Sequence, residues 1–382
     1  MRRARLSLAA AGAACVAVSL MGATPALGHG DGGHDEPEVV ASGLDGPRGL
    51  AFGGHGALYV AQAGRGAGGA AGAACIPGPE GSTCLGATGK ISRVDVRHGG
   101  VKDVVTGRAS LASEDGSSAI GPSDVAFDRH GRLHATIGLG NDPALLTQLL
   151  AAGADEKLVE QLASVNVLRR GWLREYADVA DFEAKNNPAG DEVDTNPNSL
   201  TFTRKFTVVA DAGGNSLLGV RENGKIVTLA TFPQEAEVDN PLAPGTKVAP
   251  DPVPNTVVKG PDGALYVGQL TGFPFVPGTA KVWRIVPGEK PTVYAEGFTN
   301  IIDIAFTGDG NLLVLEIDHN GLFAKGDTGA LFEVNRWDTA DHELLTDDLT
   351  QPGGLTVRKD TAYISNNTIV AGAGEILRLE LD

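Results

Sequence analysis

The chain has 382 residues, among them 53 glycines and 21 prolines, with only 5% aromatic residues and a formal net charge of −16 at pH 7. Abundant glycine with few aromatic residues favours short strands joined by tight turns and argues against long helices. A surface of this charge repels nucleic acid and anionic membranes, so we expect neither as a partner.

Residues 1–28 have the pattern of a secretory signal peptide. A basic start is followed by an uninterrupted small and apolar run from Leu6 to Met21, which is too short to span a membrane. Cleavage after Ala26 and cleavage after Gly28 both stay open, and the paired arginines near the start leave both Sec and twin-arginine export open. We therefore expect a secreted, extracellular protein without membrane insertion, with a flexible tail over residues 29–36.

Residues 37–382 are expected to form one domain, because one pattern recurs six times along them. Each copy has an apolar strand, led by proline in five cases, then a turn and a second apolar strand. A third and a fourth strand follow, and four strands make one blade of a β-propeller. The pattern predicts an all-β, six-bladed β-propeller, with copies that begin at Pro47, Pro122, Pro197, Pro254, Ile301 and Pro352.

The two ends of this domain are predicted to meet in the last blade. The sixth copy supplies only three strands, and the stretch from Glu38 to Ala41 has the pattern of a fourth. Pairing the two ends would close the ring and remove two exposed sheet edges. We therefore expect an N-terminal strand that completes the sixth blade.

Three insertions lengthen the early blades. Residues 63–88 form a glycine-rich loop in which Cys75 and Cys84 are expected to form a disulfide, since an exported chain meets an oxidising compartment. Residues 141–163 have apolar residues at helical spacing, which predicts a small helical insertion in blade two. Residues 182–198, rich in Asn, Asp and Pro, are expected to form a long loop. Because these segments leave neighbouring blades towards one face, we expect them to cap one mouth of the central channel.

Polar residues recur where the first strand of each copy begins and where the second strand ends. Asp211 and Asn215 flank a turn with two glycines, which would hold a carboxylate and an amide together. These positions and the adjoining loops predict a ligand-binding site at the capped mouth, made of Arg48, Gln62, Asn198, Asp211, Asn215, Gln269, Asn300, Glu316, His319 and Asn366.

A calcium site is also predicted, because carboxylates and amides that converge on the channel axis are the oxygen ligands that Ca²⁺ requires. The alternative is that these side chains form hydrogen bonds with backbone groups at strand ends and turns, as Asp and Asn commonly do. The predicted metal ligands are Asp124, Asp211, Asn255, Asp303 and Glu316.

Four stretches together resemble the ScyD/ScyE family of secreted bacterial proteins. They are Gly43 to Phe52, Asn186 to Pro188, Asp194 to Pro197, and Val209 to Asn215. The resemblance covers nearly all of the chain after the leader and implies a secreted protein with no established catalytic residues. More distantly, the repeat is similar to NHL and gluconolactonase-like six-bladed propellers, some of which are metal-dependent lactonases. Their Glu, Asn and Asp ligands would correspond to Glu316, Asn255 and either Asp211 or Asp303.

Two functions follow from these patterns. The first is a monomeric protein without chemistry of its own that binds a small molecule, a glycan or another protein at the capped mouth. The second is a Ca²⁺-dependent hydrolase of the lactonase type. The sequence has no nucleophile elbow, His-Glu-x-x-His, Cys-x-x-Cys or phosphate-binding loop. Hydrolysis would therefore need metal-bound water and a carboxylate base.

Overall fold

The computed structural model describes residues 36–78, 81–324, 326 and 328–381. The predicted signal peptide and all but the last residue of the predicted tail lie outside these ranges. The described chain forms six antiparallel blades of four main strands each, in sequence order around a ring. The prediction of a six-bladed β-propeller is confirmed.

The first three blades have the following strands. Blade one contains β2 (Pro47–Phe52), β3 (Leu58–Gln62), β5 (Gly81–Val94) and β6 (Val101–Ser113), with the short β4 (Cys75–Gly78) paired to β5. Blade two contains β7 (Pro122–Phe127), β8 (Leu133–Ile137), β9 (Ser164–Arg169) and β10 (Trp172–Asp178). Blade three contains β11 (Pro197–Phe202), β12 (Thr207–Asp211), β13 (Ser216–Val220) and β14 (Ile226–Thr231).

The last three blades repeat this plan. Blade four contains β17 (Pro254–Lys259), β18 (Leu265–Gln269), β19 (Ala280–Ile285) and β20 (Thr292–Phe298), and follows a small ribbon of β15 (Val238–Asp239) and β16 (Lys247–Val248). Blade five contains β21 (Ile301–Phe306), β22 (Leu312–Glu316), β23 (Gly329–Val334) and β24 (His342–Leu349). Blade six contains β25 (Gly354–Arg358), β26 (Thr361–Asn366), β27 (Ala371–Glu380) and β1 (Glu38–Asp45).

The core lies between neighbouring blades. The second strands β8, β12, β18 and β22 are buried along their whole length, which explains why they read as continuous apolar runs and not as alternating patterns. Between blades two and three, Val165 and Ala177 pack with Leu200, Val209 and Leu218. The first strand of each blade contacts the first strands of its neighbours around the central axis.

The ring closes through the N-terminal strand, as predicted. In β1, Glu38 pairs with Arg378 of β27 and Leu44 pairs with Gly374. The Glu38 carboxylate also accepts a hydrogen bond of 2.6 Å from the Arg378 guanidinium. Leu44 is only 1% exposed and packs in the cluster between blades six and one. Side-chain packing and backbone pairing therefore join the two ends of the domain.

The insertion in blade two is helical, as predicted, and the disulfide is also confirmed. Helices α1 (Ala144–Ala151) and α2 (Glu156–Val159) lie between β8 and β9. Cys75 and Cys84 face each other across the pairing of β4 with β5 and form a disulfide, with Cα atoms 4.1 Å apart.

The prediction of a loop throughout residues 182–198 is wrong at both ends, since β11 already begins at Pro197. Helix α3 (Val179–Asn186) extends into this segment. Asp178 caps the helix by accepting a 2.8 Å hydrogen bond from the Asp181 amide, and Asn187 ends it in the left-handed conformation. None of the helices in the described ranges is long and apolar enough to cross a membrane.

Candidate functional site

The inserted segments gather on one face of the ring. In every antiparallel blade, the end of the second strand and the start of the first lie at the same edge, and all three insertions leave from that edge. A bridge between Asn141 and Thr195 joins the insertion of blade two to the segment that leads into blade three. We call this side the capped face. Its described segments fall within residues 63–78, 81–88, 138–163, 179–196, 232–253, 270–279 and 317–324.

The predicted residues at the starts of the first strands hold neighbouring strands together. Asn198 and Asn255 each sit at a register shift, so their side chains turn away from their own ladder. Asn198 Nδ2 donates to Asn255 Oδ1 at 3.0 Å, and Asn255 Nδ2 donates to the Ile302 carbonyl at 2.7 Å. Arg48 donates to the Ala119 carbonyl at 3.0 Å. These side chains link neighbouring strands and connecting segments around the channel.

Two carboxylates at the same position of their first strands add further links, and we call these five side chains the inner ring. Asp124 accepts hydrogen bonds of 3.0 Å from the Ser199 hydroxyl and 2.9 Å from the Leu200 amide in the next blade. Asp303 accepts bonds of 2.6 Å from the Thr256 hydroxyl and 2.7 Å from the Leu355 amide. Burial, and then the charge of Asp303, raises the pKa of Asp124 to about 7. Burial also raises the pKa of Asp303 to about 6.

The amides at the ends of second strands bind the segments that connect blades. Gln62 accepts a 2.8 Å hydrogen bond from the Asp45 amide and donates to Ser92 at 2.6 Å. Gln269 accepts from the Trp283 indole at 2.9 Å and donates to a Glu235 oxygen at 2.7 Å. Asn366 accepts from the Thr350 amide at 2.8 Å. Since all three amides are buried, these contacts fix the paths of the connecting segments.

Blade five presents a buried carboxylate that holds an imidazole. Glu316 is 1% exposed, and one of its oxygens accepts a 2.6 Å hydrogen bond from the Thr299 amide. The other oxygen lies 2.7 Å from His319 Nδ1. The His319 side chain is 46% exposed. Burial raises the pKa of Glu316 to about 6. With Nδ1 donating to Glu316, His319 can accept a proton at Nε2 on the capped face.

A cluster of three aromatic rings lies in the capped-face segments that follow β18 and β22. The ring of Phe323 is centred 5.8 Å from that of Phe273 and 5.5 Å from that of Phe275, and Phe323 remains 53% exposed. Asn300, a predicted ligand residue, donates to the Leu270 carbonyl at 2.9 Å, and its buried Oδ1 has no partner among the described residues. This part of the face offers an apolar surface next to hydrogen-bonding groups.

Asp211 and Asn215 lie on the blade three side of the capped face. Asp211 accepts hydrogen bonds of 2.8 Å from the Thr195 hydroxyl and 2.6 Å from the Asn196 amide. Asn215 donates to an Asp191 oxygen at 2.8 Å and accepts from the Val253 amide at 3.1 Å. The predicted turn therefore anchors the segments on both sides of blade three.

The predicted metal ligands do not share one position. Asp124, Asn255 and Asp303 belong to the inner ring, whereas Asp211 and Glu316 end the second strands of blades three and five. Over the described ranges, no three His, Cys, Asp or Glu side chains gather closely enough to hold a metal ion by themselves. The axial calcium site stays a prediction, and the structure shows these residues bound to protein partners.

Sequence reasoning missed a cleft on the opposite face. It has a volume of about 510 Å³ and lies between blades two and three, where the first-to-second and third-to-fourth strand turns meet. Asp128 on its wall pairs with Arg132 at 2.6 Å. The cleft is lined by several basic side chains although the chain as a whole is acidic, and such a lining suits an anionic group. Its basic residues are Arg129, Arg132, Arg169, Arg204 and Lys205.

The closed ring of six blades makes the chain a β-propeller protein. It is similar to a solved protein of unknown function from Bacteroides thetaiotaomicron, with 10% identity and a TM-score of 0.53 over 90% of this chain and 72% of that one. Virginiamycin B lyase from Staphylococcus aureus matches with 12% identity and a TM-score of 0.47, over 90% of this chain and 98% of the lyase. A gluconolactonase from Xanthomonas campestris matches with 11% identity and a TM-score of 0.47, over 93% of this chain and 98% of the gluconolactonase. No family model and no curated protein matches the chain.

Proposed function

We propose that this protein is a secreted, monomeric β-propeller of the ScyD/ScyE family that binds a ligand on its capped face. Secretion is supported by the leader pattern of residues 1–28 and by the disulfide between Cys75 and Cys84. Family membership is supported by the stretches quoted above. Among the three ligand classes that the sequence leaves open, the geometry favours a small molecule or a glycan over a protein.

The observation that carries this proposal is the exposed ring of Phe323, which lies four residues after His319 in the capped-face segment that follows β22. A half-exposed phenylalanine supported by two further rings offers an apolar platform, on which the flat face of a sugar or an aromatic ring packs. His319, fixed by Glu316, supplies a hydrogen-bonding group whose direction is set. An apolar platform with a few oriented polar groups is the usual composition of a small-molecule site.

Ligand-observed NMR against a panel of soluble glycans and aromatic small molecules tests this proposal. We expect hits for the wild-type protein that are lost in Phe323→Ala and weakened in His319→Ala. Trp337→Ala is the matched control, because Trp337 is 83% exposed and lies in the β23 to β24 turn on the opposite face. Hits that survive Phe323→Ala, or that disappear in Trp337→Ala, would show that the ligand does not bind on the capped face.

The second candidate is metal-dependent hydrolysis of a lactone, and the Glu316 and His319 pair favours it. In place of the carboxylate base expected from the sequence, His319 Nε2 would take a proton from water as the water oxygen attacks the lactone carbonyl carbon. The ring carbon–oxygen bond would then break, and the leaving alkoxide would take the proton back from His319. A pH-stat assay on simple lactones, with and without EDTA, separates the two candidates. Turnover that EDTA and His319→Ala both abolish would favour hydrolysis over binding alone.

A further inference from the structure

Three acidic residues meet where the chain enters blade three. Glu183 lies on α3, Asp194 lies in the segment before β11, and Asp211 ends β12. Their exposed fractions are 0%, 6% and 0%. The ion pairs seen between described residues all lie elsewhere. Three acids are therefore buried side by side, and no cationic side chain of the described chain pairs with them.

The Glu183 carboxylate has no hydrogen-bond partner at either oxygen among the described residues, and Asp194 Oδ1 has none either. Buried carboxylates almost always bind a donor or a cation, because losing their water is costly. The described protein atoms therefore do not supply the donor or cation that these buried carboxylates need.

Two glycines keep a space open between these oxygens. A Cβ atom on Gly214 would lie 3.0 Å from Asp211 Oδ2, 3.1 Å from Glu183 Oε2 and 3.2 Å from the Asp194 carbonyl oxygen. A Cβ atom on Gly213 would lie 2.7 Å from Asp194 Oδ1. Neither glycine has a positive φ, so a side chain is excluded here by lack of space and not by backbone conformation. Oxygens of three residues therefore surround one point beside Gly214.

We propose that Glu183, Asp211 and the carbonyl oxygen of Asp194 bind a Ca²⁺ ion beside Gly214. Ca²⁺ accepts about six to eight oxygen ligands, mixes carboxylates with carbonyls and tolerates irregular geometry, whereas Mg²⁺ requires a near-ideal octahedron. Since no three acidic or histidine side chains of the described chain suffice alone, the carbonyl oxygen and water complete the shell. The ion ties α3 to blade three. The site shares only Asp211 with the axial set, and it does not depend on the proposed function.

Isothermal titration calorimetry of the exported protein, stripped with EDTA and titrated with CaCl₂, tests this site. We expect one Ca²⁺ per chain and a higher melting temperature with Ca²⁺. Glu183→Gln removes a ligand charge and Gly214→Ala fills the space, so each should weaken binding by about tenfold or more. Glu192→Gln is the matched control, because it removes an exposed acid from the same segment, and its affinity should stay within about twofold of wild type.

Melting in the absence of metal separates loss of the site from loss of the fold. Because Glu183→Gln removes a buried charge, the metal-free variant should melt at or above the temperature of the metal-free wild type. A wild-type protein that shows neither heat nor a melting shift with Ca²⁺ would overturn the proposal. Retention of wild-type affinity by both Glu183→Gln and Gly214→Ala would overturn it as well.

Discussion

Truncating one side chain of the closing strand tests whether β1 is an integral part of the ring. Leu44→Ala removes three carbon atoms from a position that is 1% exposed and packs between blades six and one. The lost transfer energy and the remaining cavity together cost about 3 kcal/mol. With an unfolding entropy of about 2 cal/mol/K per residue, a domain of this length should melt about 4 °C lower. Scanning calorimetry measures both the temperature and the enthalpy of this transition.

The same strand provides the control. Val39 is 53% exposed, so Val39→Ala should cost about 0.5 kcal/mol or less and leave the melting temperature nearly unchanged. Equal melting temperatures for Leu44→Ala and Val39→Ala would show that β1 is not part of the cooperative unit. Removal of residues 37–43 should lower stability far more than either substitution, and an unchanged transition would refute the closure.

Three further predictions concern other parts of the chain. Replacing Cys75 and Cys84 by alanine should lower the free energy of unfolding by about 3 kcal/mol, measured by urea unfolding. An unchanged free energy would show that packing, and not the disulfide, stabilises this loop. The pKa of Asp124 is raised to about 7 in the folded protein. As the pH rises from about 4 to about 7, this carboxyl group ionises in the unfolded chain before it does so in the folded protein, and the free energy of unfolding therefore falls. Between pH 5 and pH 7.5, the melting temperature of Asp124→Asn should therefore fall by less than that of the wild type. An equal fall would contradict this reasoning. N-terminal sequencing of the exported protein should find cleavage after Ala26 or Gly28, whereas an intact leader would argue against secretion.

The ring was predictable because each blade repeats one local pattern. Proline leads five of the six copies, and the second strands read as apolar runs because neighbouring blades bury both of their faces. The closing strand was visible as the fourth strand missing from the last copy. Such features can be recognised in short stretches of sequence, because each copy can be compared with the others.

The candidate cation site was not predictable in the same way. Asp211 stands out in its glycine turn, but Glu183 becomes a partner only because α3 turns it inward against blade three. Asp178 is a residue type that often caps the start of a helix, and it caps α3 here. The Asn and Pro residues that follow the helix favoured a loop prediction for the whole segment. The basic cleft likewise joins turns from two blades, so its residues share no sequence pattern.

The proposed Ca²⁺ site of the capped face is tested most directly by anomalous diffraction. Crystals of the exported protein soaked in TbCl₃ carry an ion that replaces Ca²⁺ at oxygen sites and scatters strongly. We expect an anomalous peak beside Gly214, between Glu183 and Asp211. The absence of a peak beside Gly214 would contradict the account, and a peak only on the channel axis between Asp124 and Asp303 would place the ion at the axial site instead.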